Sequence, residues 1–96
     1  SVHGKIKFYK NIKFLKEIKD SIVLIDNADP GYDFIFSYNI KGFISKYGGS
    51  NSHMAIRAKE FNLPAVIGVG EALYQSLKSA SIIELDATNR KIEIIG

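Results

Sequence analysis

The chain has 96 residues, no cysteine, 46% hydrophobic residues and a formal net charge of +3. This composition predicts a single domain over residues 1–96 with its own core, and it excludes disulfides, thiolate nucleophiles and cysteine metal sites. No apolar run approaches the ~20 residues that span a bilayer, and no signal-peptide pattern opens the chain, so we expect a cytoplasmic protein without a membrane partner.

The positive charge is concentrated at the start of the chain, where residues 1–20 contain six lysines. A nucleic-acid interface would add arginine clusters or exposed aromatic residues to such a face. Here the bulky residues between the lysines have the spacing of a buried side, and they are Phe8, Phe14, Leu15 and Ile18. We therefore predict no nucleic-acid partner.

The first quarter of the chain predicts a strand, a helix and a second strand. Ser1–Gly4 are expected to fray, and Lys5–Tyr9 alternate as in a half-buried strand. Apolar residues at helical spacing predict a short helix or a helical turn over Asn11–Lys19. Ser21–Asp26 contain a continuous apolar run, which is typical of a central strand covered on both faces.

The next segment leads to a glycine-rich loop. Asn27–Gly31 is a cluster of turn formers, and the aromatic-rich Tyr32–Tyr38 fits either a helical turn or a short strand. Lys41–Lys46 read as the strand that precedes Gly48 and Gly49. Glycines reach backbone conformations closed to other residues, and three residues suited to cap a helix follow them: Ser50, Asn51 and Ser52.

A helix is predicted to begin at His53 and to run to Asn62, because apolar residues recur at helical spacing. Leu63-Pro64 ends it, since the residue before a proline is pushed out of the helical region. Ala65–Val69 then reads as a short buried strand.

The last third predicts a helix over Glu71–Lys78 and two strands, Ile82–Asp86 and Lys91–Ile95, joined in a hairpin by Ala87–Arg90. Strands and helices alternate before the hairpin, with no repeat or linker between them. The predicted fold class is therefore α/β with a mixed open sheet.

A histidine in the first turn of a helix, behind a glycine-rich loop, lies among free backbone N–H groups and at the positive end of the helix dipole. That environment disfavours an imidazolium cation and favours a bound anion. Neutral imidazole is the nucleophilic form, so His53 suits a covalent phosphohistidine. The predicted phosphoryl-binding groups are Gly48, Gly49, Ser50, Asn51, Ser52 and Arg57.

Residues 48–70 closely resemble the phosphohistidine signature of the PEP-utilising enzymes, from the double glycine through His53 to Leu63-Pro64-Ala65-Val66-Ile67-Gly68. The Asp29-Pro30 loop extends the resemblance upstream. It implies a swivelling β/β/α fold and a mobile phosphocarrier domain within a larger multidomain phosphotransferase.

The resemblance also implies that Nε2 of His53 carries the group between two active sites. The expected partners are nucleotide-binding or phosphoenolpyruvate/pyruvate-binding domains of the parent protein. No cofactor or metal is expected in this domain, and Mg²⁺ is expected at the partner domains. The donor, ATP or phosphoenolpyruvate, and the final acceptor stay open.

Three positions depart from the family pattern. Asn51 stands where many members have a threonine, Arg57 replaces a usual aliphatic residue, and Lys59 replaces a usual arginine. Arg57 lies four residues after His53 on the same helical face. We expect its charge to be solvated, with a contact to a phosphoryl group as the alternative.

Two other functions remain open. The fold could serve as a non-catalytic interaction module with His53 unphosphorylated. Alternatively, His53 could act as a general base, which needs a second positioned group. By sequence, three acids are candidates for that group: Asp26, Asp29 and Asp33. The chain contains no P-loop, so we expect the phosphoryl donor to be bound elsewhere.

Overall fold

The structure, a computed structural model, describes residues 2–96. These residues form six strands, two α-helices and three short 3-10 helices. In chain order the elements are β1 (Val2–Phe8), 3-10 helices Tyr9–Asn11 and Leu15–Ile18, β2 (Ile22–Ile25), 3-10 helix Pro30–Ser37, β3 (Gly42–Ser45), α1 (His53–Glu60), β4 (Ala65–Ile67), α2 (Glu71–Lys78), β5 (Ile82–Asp86) and β6 (Lys91–Ile94).

All six strands form one mixed sheet in the order β4-β3-β2-β1-β5-β6. The first four strands pair in parallel, whereas β5 runs antiparallel to both β1 and β6. The predicted mixed open sheet and the α/β fold class are confirmed. Because β1 to β4 are parallel, their carboxyl ends meet at one edge of the sheet, and the chain leaves β3 there towards the glycine loop.

The sheet is covered on both faces, as the apolar run of β2 predicts. Val23 and Ile25 belong to one core cluster, which includes Met54 and Ala58 of α1. Ile22 and Leu24 point to the opposite face and belong to a second cluster, with Tyr74 and Leu77 of α2 and residues of β5. Successive side chains of a strand alternate between faces, so β2 contributes to both cores. This packing fixes α1 relative to the edge where β3 ends.

The predicted fraying of Ser1–Gly4 is wrong for Val2–Gly4, which belong to β1. Ser1 lies outside the described residues. β1 begins at Val2, which pairs with Leu85 of β5. The amino-terminal half of β1 pairs with β5 and the carboxyl-terminal half with β2. Backbone hydrogen bonds to β5 and β2 therefore stabilise β1. Its apolar pattern is weak because the strand contains lysines and a glycine, so the sequence did not predict its first residues.

Of the short helix or helical turn predicted over Asn11–Lys19, the structure shows the turn. The segment contains the 3-10 turn Leu15–Ile18 and begins at the last residue of the turn Tyr9–Asn11. The Glu17 carboxylate accepts hydrogen bonds at 2.8 Å from the backbone N–H groups of Lys13 and Phe14. This cap starts a helical turn at Leu15, so no helix crosses the segment. Ile18 is buried, but Phe14 and Leu15 are 64% and 45% exposed, which contradicts their predicted burial.

The remaining elements follow the predictions closely. α2 has the predicted bounds, the hairpin of β5 and β6 is confirmed, and α1 ends two residues earlier than predicted. The segment Tyr32–Tyr38, left open between a helical turn and a strand, lies mostly in the 3-10 helix Pro30–Ser37. That 3-10 helix packs on α1 and forms one wall of the candidate site.

Candidate functional site

The glycine loop depends on Gly48 rather than on both glycines. Gly48 has φ of +130°, and a Cβ there would lie 2.7 Å from Cβ of Ala28 and 2.9 Å from Cγ2 of Ile67. Only glycine adopts this backbone without strain. At Gly49 a Cβ would meet nothing within 4 Å, and its φ is not positive. Gly48 therefore brings the chain close to the sheet before α1 begins.

Ser52 caps α1, so His53 is the first residue of the helix. The Ser52 hydroxyl accepts a hydrogen bond at 3.3 Å from the backbone N–H of Ala55. The N–H groups of the first turn have no acceptor within the helix, and they carry the positive end of the helix dipole. The preceding loop residues, Gly48 to Asn51, are exposed. Their predicted phosphoryl-binding role stays a prediction.

The His53 imidazole faces Asp33, a residue of the 3-10 helix Pro30–Ser37. His53 Nε2 lies 2.9 Å from Asp33 Oδ1, and the two side chains are 37% and 41% exposed. The other two candidate acids do not take part: Asp26 contacts Tyr9, and Asp29 lies exposed at the start of the same 3-10 helix. The structure thus brings His53 together with one of the three acids.

Arg57 shares the same carboxylate oxygen. Its Nε lies 3.2 Å from Asp33 Oδ1, and its Nη1 lies 3.3 Å from Oε1 of Glu60. The rings of Phe36 and Phe61 stack on each other 5.1 Å apart, and the guanidinium Cζ lies 5.7 Å and 4.8 Å from their centroids. The expectation of a simply solvated Arg57 is therefore wrong. Phe61 follows Arg57 by one helical turn, which places the ring beside the guanidinium.

Asp33 is an ionised carboxylate at neutral pH, because its pKa lies below the already acidic value of an ordinary aspartate. The bond from His53, followed by the bond and charge of Arg57, lowers the pKa of Asp33, and partial burial opposes this shift. An ionised carboxylate accepts hydrogen bonds and cannot donate them. Nε2 of His53 therefore carries a proton in this arrangement.

A second polar group lies along the same sheet edge, at the ends of β1 and β2. The Tyr9 hydroxyl donates a hydrogen bond to Asp26, and Lys10 Nζ lies 3.9 Å from the same carboxylate. Burial, followed by the Asp26 hydrogen bond, raises the pKa of Tyr9. Tyr9, Lys10 and Asp26 make no hydrogen bond to His53 among the described residues. These three side chains therefore stabilise the loop that follows β2 and do not orient the imidazole.

A cavity of about 450 Å³ lies on the other side of α1, between this helix, β4 and the β5–β6 turn. Lys59 and Arg90 are among its lining residues, and His53 is not. The imidazole thus stands at the surface beside Asp33.

Sequence reasoning missed the joint contact of Asp33 with His53 and Arg57. The only signal was the Asp29-Pro30 turn, which predicts a change of chain direction but not which carboxylate faces α1.

No group of three or more His, Cys, Asp or Glu side chains within residues 2–96 is placed to hold a metal ion. In that same range, neither helix is long and apolar enough to cross a membrane.

Residues 17–90 match the family described as "PEP-utilising enzyme, mobile domain". Rifampicin phosphotransferase of Bacillus cereus is 31% identical over 94 residues, which cover 98% of this chain and 11% of the relative. Phosphoenolpyruvate-protein phosphotransferase of Buchnera aphidicola is 35% identical over 86 residues, which cover 88% of this chain and 15% of the relative.

A third relative, phosphoenolpyruvate synthase of Synechocystis, is 31% identical over 70 residues, which cover 72% of this chain and 8% of the relative. The chain therefore spans only 8% to 15% of the length of these three proteins.

Proposed function

The chain belongs to the mobile-domain family of the PEP-utilising enzymes, and on that basis we propose that it is a phosphocarrier. In this proposal His53 accepts a phosphoryl group at one active site and delivers it to a second. The bond to phosphorus forms at Nε2 of the imidazole, and the same bond breaks when the acceptor attacks.

The observation that carries the proposal is the placement of His53 as the first residue of α1. The residue follows the glycine loop at the carboxyl end of β3, and its side chain is 37% exposed. Helix N-termini favour negative charge, so the oxygens of a phosphoryl group on His53 would lie in a favourable field. The exposure leaves the imidazole open to a donor bound by another domain.

The enzymatic activity is that of a parent protein. The relatives are named as phosphotransferases or as phosphoenolpyruvate synthase, and each is several times longer than this chain. We propose that nucleotide-binding or phosphoenolpyruvate/pyruvate-binding domains of the parent hold the donor and the acceptor, together with Mg²⁺. Flanking linkers would move the domain between them as a rigid body. The cytoplasmic location stays a prediction.

Mass spectrometry at neutral or alkaline pH tests the proposal. The chain is mixed with the other domains of its parent and with ATP or phosphoenolpyruvate, and the modified residue is mapped. We expect phosphohistidine at His53 and none in a His53→Asn variant. The only other histidine, His3, is an exposed residue of β1, so His3→Asn is the matched control and should be modified normally at His53. Phosphoryl transfer by the His53→Asn variant would contradict the proposal.

The His53–Asp33 contact favours one second candidate, in which the pair acts as a general base. A carboxylate at 2.9 Å can orient an imidazole for proton abstraction. However, Arg57 shares that carboxylate oxygen, which weakens its support of the imidazole. The two functions differ in their intermediate, because a general base forms no bond to phosphorus.

A further inference from the structure

Asp33, His53 and Arg57 form a three-membered cluster around a single oxygen atom. Asp33 Oδ1 lies 2.9 Å from His53 Nε2 and 3.2 Å from Arg57 Nε. The three residues come from two elements, because Asp33 belongs to the 3-10 helix Pro30–Ser37, whereas His53 and Arg57 lie on α1. We propose that the phosphoryl group displaces Asp33 from His53, and that Arg57 then exchanges the carboxylate for the phosphoryl oxygens.

The proposal rests on the carrier function and concerns the resting state of its nucleophile. In the structure Nε2 donates its proton to Asp33, so it offers no lone pair to phosphorus. For attack, the Nε2 proton must go to solvent while Nδ1 holds a proton, which leaves a neutral imidazole with a free lone pair on Nε2. The Nε2–P bond then forms as the bond between phosphorus and the donor's leaving group breaks, and the leaving group keeps the electron pair.

Charge repulsion makes the exchange necessary. A phosphoryl group carries close to two negative charges near neutral pH, and the Asp33 carboxylate carries one. Two anions in contact are strongly unfavourable unless a cation separates them. Asp33 is 41% exposed, so its side chain can turn into water once the Nε2 hydrogen bond is lost.

Arg57 is positioned to stay when Asp33 leaves. Its guanidinium lies beside the stacked rings of Phe36 and Phe61, and Glu60 binds Nη1. Nη2 has no hydrogen-bond acceptor within residues 2–96. A guanidinium binds oxyanions through two parallel N–H groups, so the freed Nε together with Nη2 offers one such pair. Arg57 is thus a positioning residue held one helical turn from the nucleophile.

Chemical phosphorylation of the 96-residue chain with potassium phosphoramidate tests the exchange without an enzymatic donor. The variants are Asp33→Asn, Arg57→Met and the charge-matched control Asp29→Asn, whose exposed side chain lies on the same segment. Phosphorus NMR follows formation of phosphohistidine. Nitrogen-15 NMR reports the ring nitrogens of His53 and the Nε–H group of Arg57, and amide spectra check that each variant is folded.

We expect the Asp33→Asn variant to be phosphorylated about threefold to tenfold faster than the wild type, which is the range expected for weakening one hydrogen bond that holds Nε2 in its resting form. The Asp29→Asn control should react at the wild-type rate. In the wild type, the Arg57 Nε–H signal should shift on phosphorylation, and in Arg57→Met the phosphorus signal should differ from that of the wild type.

Two results would overturn the proposal. One is equal rates for Asp33→Asn and Asp29→Asn. The other is a phosphoryl group on Nδ1, with Asp33 still bound to Nε2–H and an unchanged Arg57 signal. A failure of the carrier function itself would appear separately, as absent transfer from ATP and phosphoenolpyruvate in the presence of the parent's other domains, to a chain that phosphoramidate still modifies.

Discussion

Replacing Gly48 by alanine should destabilise the domain, whereas the same change at Gly49 should not. The two glycines are adjacent and both are exposed, so neither the sequence nor their exposure predicts a different effect of alanine at the two positions. The structure does separate them. Only Gly48 has a positive φ, and only there would a Cβ meet the Ala28 and Ile67 side chains below 3.0 Å.

The expected loss has two sources. A non-glycine residue held in a glycine-only region of backbone space costs about 1–3 kcal/mol. Overpacking against two side chains adds about 1–3 kcal/mol, reduced where the loop can shift. We therefore expect Gly48→Ala to lower the free energy of unfolding by about 2–4 kcal/mol, out of the ~5–15 kcal/mol that is usual for a domain.

Urea denaturation followed by circular dichroism measures both variants against the wild type. Gly49→Ala should lie within about 0.5 kcal/mol of the wild type, as is usual for an exposed site without strain. Equal free energies of unfolding for Gly48→Ala and the wild type would refute the reasoning, and so would an equal loss in the two variants.

Three further predictions concern the surroundings of the site. Ser52→Ala removes the cap of α1 and should lower the free energy of unfolding by about 1 kcal/mol in urea denaturation, whereas Ser50→Ala should leave it unchanged. Tyr74→Phe removes a buried hydroxyl without a hydrogen-bond partner among the described residues, so it should stabilise the domain by about 1 kcal/mol; a loss of that size would contradict the structure. The pKa of Asp33 is lowered mainly by the hydrogen bond from His53, so its unfolded form binds a proton more readily. The stability it contributes is present above about pH 4 and is lost as pH falls through the folded pKa, so stability should fall less steeply with acid in Asp33→Asn.

The sequence predicted the parts of the fold that local patterns control. β2, α2 and the terminal hairpin follow directly from apolar runs, helical spacing and turn residues. The start of β1 at Val2 and the exposure of Phe14 and Leu15 did not follow from such patterns. Pairing with two neighbours holds β1 from Val2 onward, and the Glu17 carboxylate ends the preceding loop at Phe14, so long-range pairing and one side-chain cap outweigh the local pattern.

The candidate site shows the same division. His53 and its helix start could be predicted because the glycine loop, the cap and the nucleophile are adjacent in sequence. The contact with Asp33 joins residues 20 positions apart, through a 3-10 helix whose packing no periodicity reveals. Arg57 was expected to be solvated because charged helix residues usually are. Its contact with the stacked pair of rings depends on Phe36, which comes from another element.

A pulse-chase experiment on the parent protein tests the phosphocarrier assignment most directly. The parent is given a donor labelled with phosphorus-32, chased with unlabelled donor in the presence of its acceptor, and quenched in alkali over the course of one turnover. We predict that label appears first on His53 and leaves it at least as fast as the whole enzyme turns over. Product that gains label while His53 stays unlabelled, or label that stays on His53 for longer than a turnover, would contradict the account.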